Sequence, residues 1–338
     1  MKRDFGPLPD GQRATLYTIT NGPLTATFTD FGATLVSLLV PDSQGRQADV
    51  VLGFDSAEGY VKSWAFLGTV IGRNTNRIKN ACFPLNNQLI RLTPFDRTNN
   101  LHSGIHFWCK RLWDVVRHEK NSITFKLISP DGDQGFPGNA EILVTYTLES
   151  PAELKITYRA VSDKDTVFNL TNHSYFNLAG HDAPEKAMAQ TLTMPARHFT
   201  VCDKHSIPTG ELKDVAGTPM DFRIPKPLSQ DIDSRSEYLK HQHGYDHNFE
   251  VFCNPCAILS DPDSGRTMAV ITDCPGIQLY TANGFRGTGK GGIHYPKRSA
   301  VCLETQFYPD SVNHPEWCQP FTPANTPYES ETVYRFSW

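Results

Sequence analysis

Ser122-Ile-Thr-Phe-Lys-Leu-Ile128, Ile142-Leu-Val-Thr-Tyr-Thr-Leu148 and Leu154-Lys-Ile-Thr-Tyr-Arg-Ala160 are three β-branched and aromatic runs that mostly alternate apolar with polar residues. A period of two is what a strand with one buried face requires. Turn chemistry bounds them, with Pro130-Asp-Gly-Asp133 after the first and Ser150-Pro151 after the second. Outward from this block, Leu24-Thr-Ala-Thr-Phe-Thr-Asp-Phe31, Thr267–Thr272, Ile277–Ala282 and Ala300–Phe307 read the same way. Twenty-four glycines and 24 prolines, spread evenly, supply the punctuation that many short strands need. Helical period is scarce. Asp55-Ser-Ala-Glu58 reads as a short helix start with a capping box, and Leu228–Leu239 as one more helix. Strand signals thin out over Pro184–Asp233, yet no repeat, low-complexity tract or linker divides the chain. The expectation is all-β: one large antiparallel β-sandwich with few short helices, spanning residues 1–338 as a single domain.

Composition narrows the function classes. Lys+Arg of 32 against Asp+Glu of 36 leaves a net charge of −4, which offers no footprint for nucleic acid or anionic lipid. No run approaches the ~18 apolar residues of a membrane span. The start, MKRDFGPLPDGQR, has no apolar stretch behind its basic residues, so no signal peptide is expected. Eight cysteines without a repeating interval suit reduced thiols, hence a cytoplasmic location.

Four motifs invite chemistry and fall short of it. Gly284-Phe-Arg-Gly-Thr-Gly289-Lys290-Gly291 lacks the Ser or Thr that a phosphate-binding loop places after its lysine, and reads as a flexible loop. His241-Gln-His243-Gly-Tyr-Asp246-His247 is similar to the zinc cluster of the metallo-β-lactamase family, but an extra residue before Asp246 re-aims the later ligands. Cys253-Asn-Pro-Cys256 stands alone in strand-like sequence, without the helix a redox motif opens. Asp131-Gly-Asp133-Gln-Gly135 lacks the later bidentate Glu of a calcium loop and reads as a turn.

Three segments carry competent polar residues in strand-like contexts. They are Gly72-Arg73-Asn74-Thr75-Asn76-Arg77-Ile78 with Asn99-Asn-Leu-His102-Ser-Gly104; Asn169-Leu-Thr-Asn172-His173-Ser-Tyr175-Phe176-Asn177-Leu178; and Cys302-Leu-Glu304-Thr-Gln306-Phe-Tyr-Pro309-Asp310-Ser311. His173 lies between Asn172 and Ser174, whose side chains can fix an imidazole tautomer. Glu304 follows the apolar Val301-Cys-Leu303, and a carboxylate on a buried strand needs a partner or a task.

Together these segments resemble the aldose 1-epimerase (galactose mutarotase) family. Gly135-Phe-Pro-Gly138, Gly217-Thr-Pro-Met-Asp-Phe-Arg223 and Gly244-Tyr-Asp-His-Asn-Phe249 extend the likeness, which runs from Asp30-Phe-Gly-Ala-Thr34 to Thr332–Phe336. The resemblance implies the galactose mutarotase-like supersandwich fold and an isomerase that interconverts the α and β anomers of free hexoses such as D-galactose and D-glucose. His173 then matches the general acid and Glu304 the general base. Asn76, Arg77, His102, Ser174, Tyr175, Asp246 and Gln278 match residues that hold sugar hydroxyls. No metal and no cofactor are implied, and the partner is a monosaccharide. Its ring opening calls for His173 protonated and Glu304 ionised at rest. One departure stands out: where the family has Leu-His-Gly-Gly, this chain has Leu101-His102-Ser103-Gly104, so Ser103 carries strain if the position needs positive φ. Three other readings remain open. A hexose-6-phosphate epimerase of related fold would use Arg73, Arg91, Arg97 and Lys290 as phosphate ligands. A non-catalytic sugar-binding protein would bind without turnover. A glycoside hydrolase would normally employ two carboxylates.

Overall fold

The computed structural model describes residues 1–338. Most of its strands belong to three antiparallel sheets. The first is a five-stranded meander in chain order: Lys2–Pro7, Arg13–Asn21, Leu24–Thr29, Thr34–Pro41 and Gln47–Asp49. The second has nine strands. Asp114–His118, Ser122–Ser129, Ala140–Glu149 and Glu153–Ser162 follow one another, and the C-terminal Tyr328–Ser337 then pairs with Glu153–Ser162. Thr267–Thr272, Ala257–Ser260, Thr191–Thr193 and Lys226–Pro227 complete it on the other side of that C-terminal strand. The third sheet runs Pro208–Asp214, His198–Cys202, Asp246–Glu250, Gly276–Tyr280 and Cys302–Gln306.

Alternation in sequence becomes alternation of faces. In Ala140–Glu149, Ile142, Val144, Tyr146 and Leu148 are fully buried, while Glu141 is exposed. Each such side chain contributes ~1.5–3 kcal/mol by leaving water. The Phe28 and Tyr146 rings, 4.4 Å apart, pack the first sheet on the second. The Tyr334 hydroxyl donates to the Leu303 carbonyl at 3.2 Å and links the second sheet to the third. One apolar cluster of 54 buried residues draws on all three sheets, so they share a core.

The strand expectations match to within a few residues, and the all-β sandwich stands. Over 184–233 the sequence signal was too weak to reveal His198–Cys202 and Pro208–Asp214. Pro208–Asp214 is a sheet edge with a largely exposed, polar sequence, so no hydrophobic alternation marks it. The helices are two six-residue α-helices, Ala57–Lys62 and Glu237–Gln242, plus short 3-10 turns. Ser56 caps the first through its extended backbone, without the side-chain bond of a capping box. The second starts at Glu237, beyond most of the 228–239 span where a helix was expected. No helix is long and apolar enough to cross a membrane.

The glycine-rich 284–291 segment is anchored, contrary to the flexible loop its composition predicts. Lys290 is buried, and its ammonium donates to the Val36 carbonyl at 2.9 Å, the Val51 carbonyl at 2.8 Å and Asp49 Oδ2 at 2.5 Å. Breaking a buried ion pair from one side strands the other charge. Lys290→Met should therefore lower stability by about 3 kcal/mol in urea denaturation. A change within experimental scatter would show that this clasp does not hold the loop.

Candidate active site

The site is a cavity of about 480 Å³ at one edge of the third sheet. Three strands of that sheet bring Asp246, Gln278 and Glu304 to it in register, with Asn248 opposite Gln278 and Gln278 opposite Glu304. Residues two apart share a face, so Asp246 lies on the same face as Asn248, and Gln278 on the same face as Tyr280. Gln278 Nε2 donates to Asp246 Oδ1 at 2.6 Å, which fixes both groups.

Beside this sheet runs the extended segment 171–176. Thr171–Asn172 pairs with Val70–Ile71, and the His173 amide donates to the Thr69 carbonyl at 2.9 Å. Its alternation splits the segment into two faces. Asn172 donates to the Gly68 carbonyl at 2.9 Å and the Tyr146 hydroxyl at 3.1 Å, and the Ser174 hydroxyl donates to Asn172 Oδ1. His173 and Tyr175 point the other way, into the cavity. Two expectations therefore change. Ser174 does not line the cavity, and neither Asn172 nor Ser174 fixes the His173 tautomer, because the strand turns both toward the core. His173 Nδ1 is buried without a partner. Stacking holds the ring instead, with Tyr175 at 5.1 Å and 12°, and Phe66 at 6.0 Å and 22°.

His173 Nε2 lies 3.7 Å from Glu304 Oε2. Burial moves this pair toward its neutral form. It pushes the imidazole down to about 4 and, helped by the nearby Asp246 charge, raises the Glu304 carboxyl well above its usual range. Both directions run opposite to the resting imidazolium and carboxylate expected from the sequence. Asp246 is also raised by burial, with Arg77 and the Gln278 bond opposing.

The loop 72–78 and its neighbour at 99–104 close the far wall. Asn76 donates its backbone N–H to His102 Nδ1 at 3.2 Å, so Nδ1 is an acceptor. Burial, His173 and Arg77 push His102 well below the ordinary imidazole value, which leaves its single proton on Nε2 as a donor. Arg77 is aimed by Asp96, its Nε donating to Oδ2 at 2.9 Å. Ser103 does adopt positive φ, +71°. Its hydroxyl compensates by accepting from the Asn74 amide at 2.8 Å and donating to the Asn74 carbonyl at 2.9 Å.

Of the nine residues nominated from sequence, Asn76, Arg77, His102, His173, Tyr175, Asp246, Gln278 and Glu304 line the cavity, and Ser174 does not. Sequence reasoning missed Trp64, Phe66, Tyr280, Phe285 and Arg286 in the lining. It also missed Asp96, which sits 19 positions from Arg77. Trp64, Phe66 and Phe285 are isolated aromatics outside the strands and carry no periodic signal, whereas Tyr280 sits two residues after Gln278 on the same strand face, a period-two signal that marks it.

The four cations offered for a phosphate do not line the cavity. Arg73 is buried and donates to Ser129 Oγ and to the Ser129, Pro137 and Gly138 carbonyls, while Lys290 forms the clasp described above. His241 and His243 are exposed, and His247 is buried, its Nδ1 accepting from the Asp246 amide. The cluster thus does not converge. Asp131 and Asp133 pair with Lys164 and Arg111, and all eight cysteines are free. The one group of three metal-ligating side chains is His173, Cys302 and Glu304.

Comparison with known proteins agrees across the chain. The family model described as Aldose 1-epimerase matches residues 15–335. A bovine (Bos taurus) galactose mutarotase is 39% identical over 340 residues, covering 98% of this chain and 97% of that protein. An aldose 1-epimerase of Haemophilus influenzae is 40% identical over 314 residues, covering 91% of each. Among solved structures, an aldose epimerase homologue from C. elegans superposes with a TM-score of 0.88 at 34% identity, covering 95% of this chain and 98% of that one.

The electrostatics can be read directly by NMR. In the empty protein, the His173 ring nitrogens should keep the shifts of a neutral imidazole as pH falls, and titrate only near 4. A midpoint close to the ordinary value of ~6.5 would show that burial does not govern the pair.

Proposed function

The chain belongs to the aldose 1-epimerase family, and from that membership we propose how its cavity turns one anomer of a free hexose into the other. It is an isomerase acting on the anomeric centre of an aldose. D-galactose and D-glucose are the substrates we assign. The supporting observation is the 3.7 Å separation of His173 Nε2 from Glu304 Oε2.

Opening the ring requires one proton to leave the C1 hydroxyl and another to reach the ring oxygen. Both oxygens are bonded to C1, so the base and the acid that serve them must be neighbours. Glu304 takes the hydroxyl proton and His173 protonates the ring oxygen, the C1–O bond breaks, and an open-chain aldehyde forms. Rotation about C1–C2 presents the other carbonyl face. Closure then reverses both transfers, returning each proton to the group that gave it. Glycosidases separate two carboxyls by about 5 Å or more around a glycosidic oxygen. A contiguous carboxyl and imidazole suits a reaction confined to one carbon.

The pair needs only one proton between its two members. Neutral imidazole with neutral carboxyl, and imidazolium with carboxylate, hold the same number. A sugar hydroxyl donating to Glu304 favours the carboxylate, so binding converts the resting form to the reactive one by moving a proton locally. His102 donates through Nε2, and Arg77 and Asn76 offer further donors. Asp246 and the unpartnered Gln278 Oε1 offer acceptors, and Tyr175 supports the His173 ring. The name of the mammalian relatives, galactose mutarotase, favours an unphosphorylated sugar. The free thiols suit the cytoplasm, which we assign as its location.

Glu304→Gln and His173→Asn should each slow anomer exchange by at least about a hundredfold, followed by polarimetry with α-D-galactose. Near-normal rates in either would remove that residue from its role, and binding without any exchange in the wild type would identify a lectin-like protein. Faster exchange of a hexose 6-phosphate than of galactose would overturn the free-sugar assignment. Asp246→Ala should damage both turnover and Michaelis constant, by ~1–3 kcal/mol in kcat/KM, because hydroxyls are left unpaired in a buried site. A raised Michaelis constant with unchanged turnover would limit Asp246 to uniform binding.

A further inference from the structure

Cys302 has no part in the acid–base chemistry, yet it stands directly beside it. It lies two residues before Glu304 on the same strand, so both side chains project from one face. His173 reaches the same point from the neighbouring extended segment, which is tied to this strand's start by the Phe176 and Val301 backbone bonds. The Cys302 sulfur, a His173 ring nitrogen and a Glu304 carboxylate oxygen lie within 4.8 Å of one another, all three residues being buried. We propose that these three side chains form a binding site for a borderline-soft divalent cation, Zn²⁺ above all, and that an ion held there switches the enzyme off.

The donor set decides the ion class. Magnesium and calcium require sets built from oxygen. One thiolate, one imidazole and one carboxylate match zinc instead, whose tetrahedral ligands sit about 3.3–3.8 Å apart. The three atoms, within 4.8 Å of one another, close by up to about 1 Å to reach that spacing. As the ion binds, the Cys302 thiol and the Glu304 carboxyl each give up a proton, which leave through the cavity to solvent, while the neutral His173 ring offers its lone pair. Three protein ligands leave the fourth position open to water. His173 and Glu304 line the cavity and Cys302 lies buried behind its wall, so the ion enters by the route the sugar uses and reaches the sulfur past the acid–base pair.

The same geometry argues against a dedicated, resident metal. Histidines in dedicated sites donate their second ring nitrogen to a carbonyl or carboxylate, which raises affinity. His173 Nδ1 has no such partner. The binding is therefore reversible and inhibitory. A bound ion occupies the lone pairs that must move protons, so metal and sugar exclude each other. This inhibitory consequence rests on the acid–base reading above, whereas the binding site does not.

The test uses metal-stripped protein with Co²⁺ and Zn²⁺ as probes. Co²⁺ should give a thiolate-to-cobalt charge-transfer band at one equivalent, which Cys302→Ala and Cys302→Ser both lose. Zn²⁺ should inhibit anomer exchange competitively with galactose. In both variants turnover should persist while inhibition weakens at least about tenfold. Absence of the band in the wild type overturns the site. Unchanged inhibition in the variants, or inhibition that galactose does not relieve, overturns the switch. If the protein showed no anomer exchange at all, the acid–base reading would fail, and the cobalt band would still decide the site.

Discussion

A carboxyl group in the middle of a buried strand sets the terms for this molecule. Glu304 has Leu303 and Thr305 turned to the opposite face, Gln278 across the register and His173 at 3.7 Å. Burial makes a lone charge expensive there. The surrounding polar groups must therefore be held by one another until a substrate arrives. Gln278 is committed to Asp246, His102 to the Asn76 backbone, and Arg77 to Asp96. Gln278, His102 and Arg77 are thus each oriented by a partner of their own, and that preorganisation is what lets a polar pocket act without reorganising.

The walls around that carboxyl are loops, and three cations fasten them in place. Arg73 fastens the 72–78 loop to the turn at 129–138. Lys290 fastens the glycine-rich loop to the first sheet. Lys110 donates to the carbonyls of Tyr60, Val61 and Ser63, pinning the end of the short helix from which Trp64 and Phe66 follow. A cation with several donors can satisfy several otherwise orphaned carbonyls at a loop end, and in doing so it becomes unavailable to a ligand.

The strands were legible wherever one face is buried, as in Ile142–Leu148, because the alternation is itself the record of burial. They were not legible at Pro208–Asp214, an exposed edge with no apolar face. At the site, His173 and Glu304 stood out as polar residues in strand-like surroundings, and the resemblance to the aldose 1-epimerase family gave them their roles. The direction of Ser174 was not visible, since adjacency in sequence places neighbours on opposite faces of an extended chain. Phe66 was equally hidden. It reaches the His173 ring from a loop more than a hundred residues away, at a φ of +56° that no sequence pattern announces.

By itself, the sequence determined the all-β class, the strand positions with clear alternation, and the segments that carry the chemistry. The first two are local properties, set by period, turn residues and side-chain type, and the third rests on the resemblance of those segments to the aldose 1-epimerase family. Only the tertiary structure decided which of those side chains meet, that Arg73 and Lys290 serve the scaffold, and that Cys302 stands with the acid–base pair. It also set the direction in which the pair's protonation is pushed. Burial is a property of everything packed around a group, and it pushes the His173 imidazole down and the Glu304 carboxyl up, against the charges that the residue types suggest.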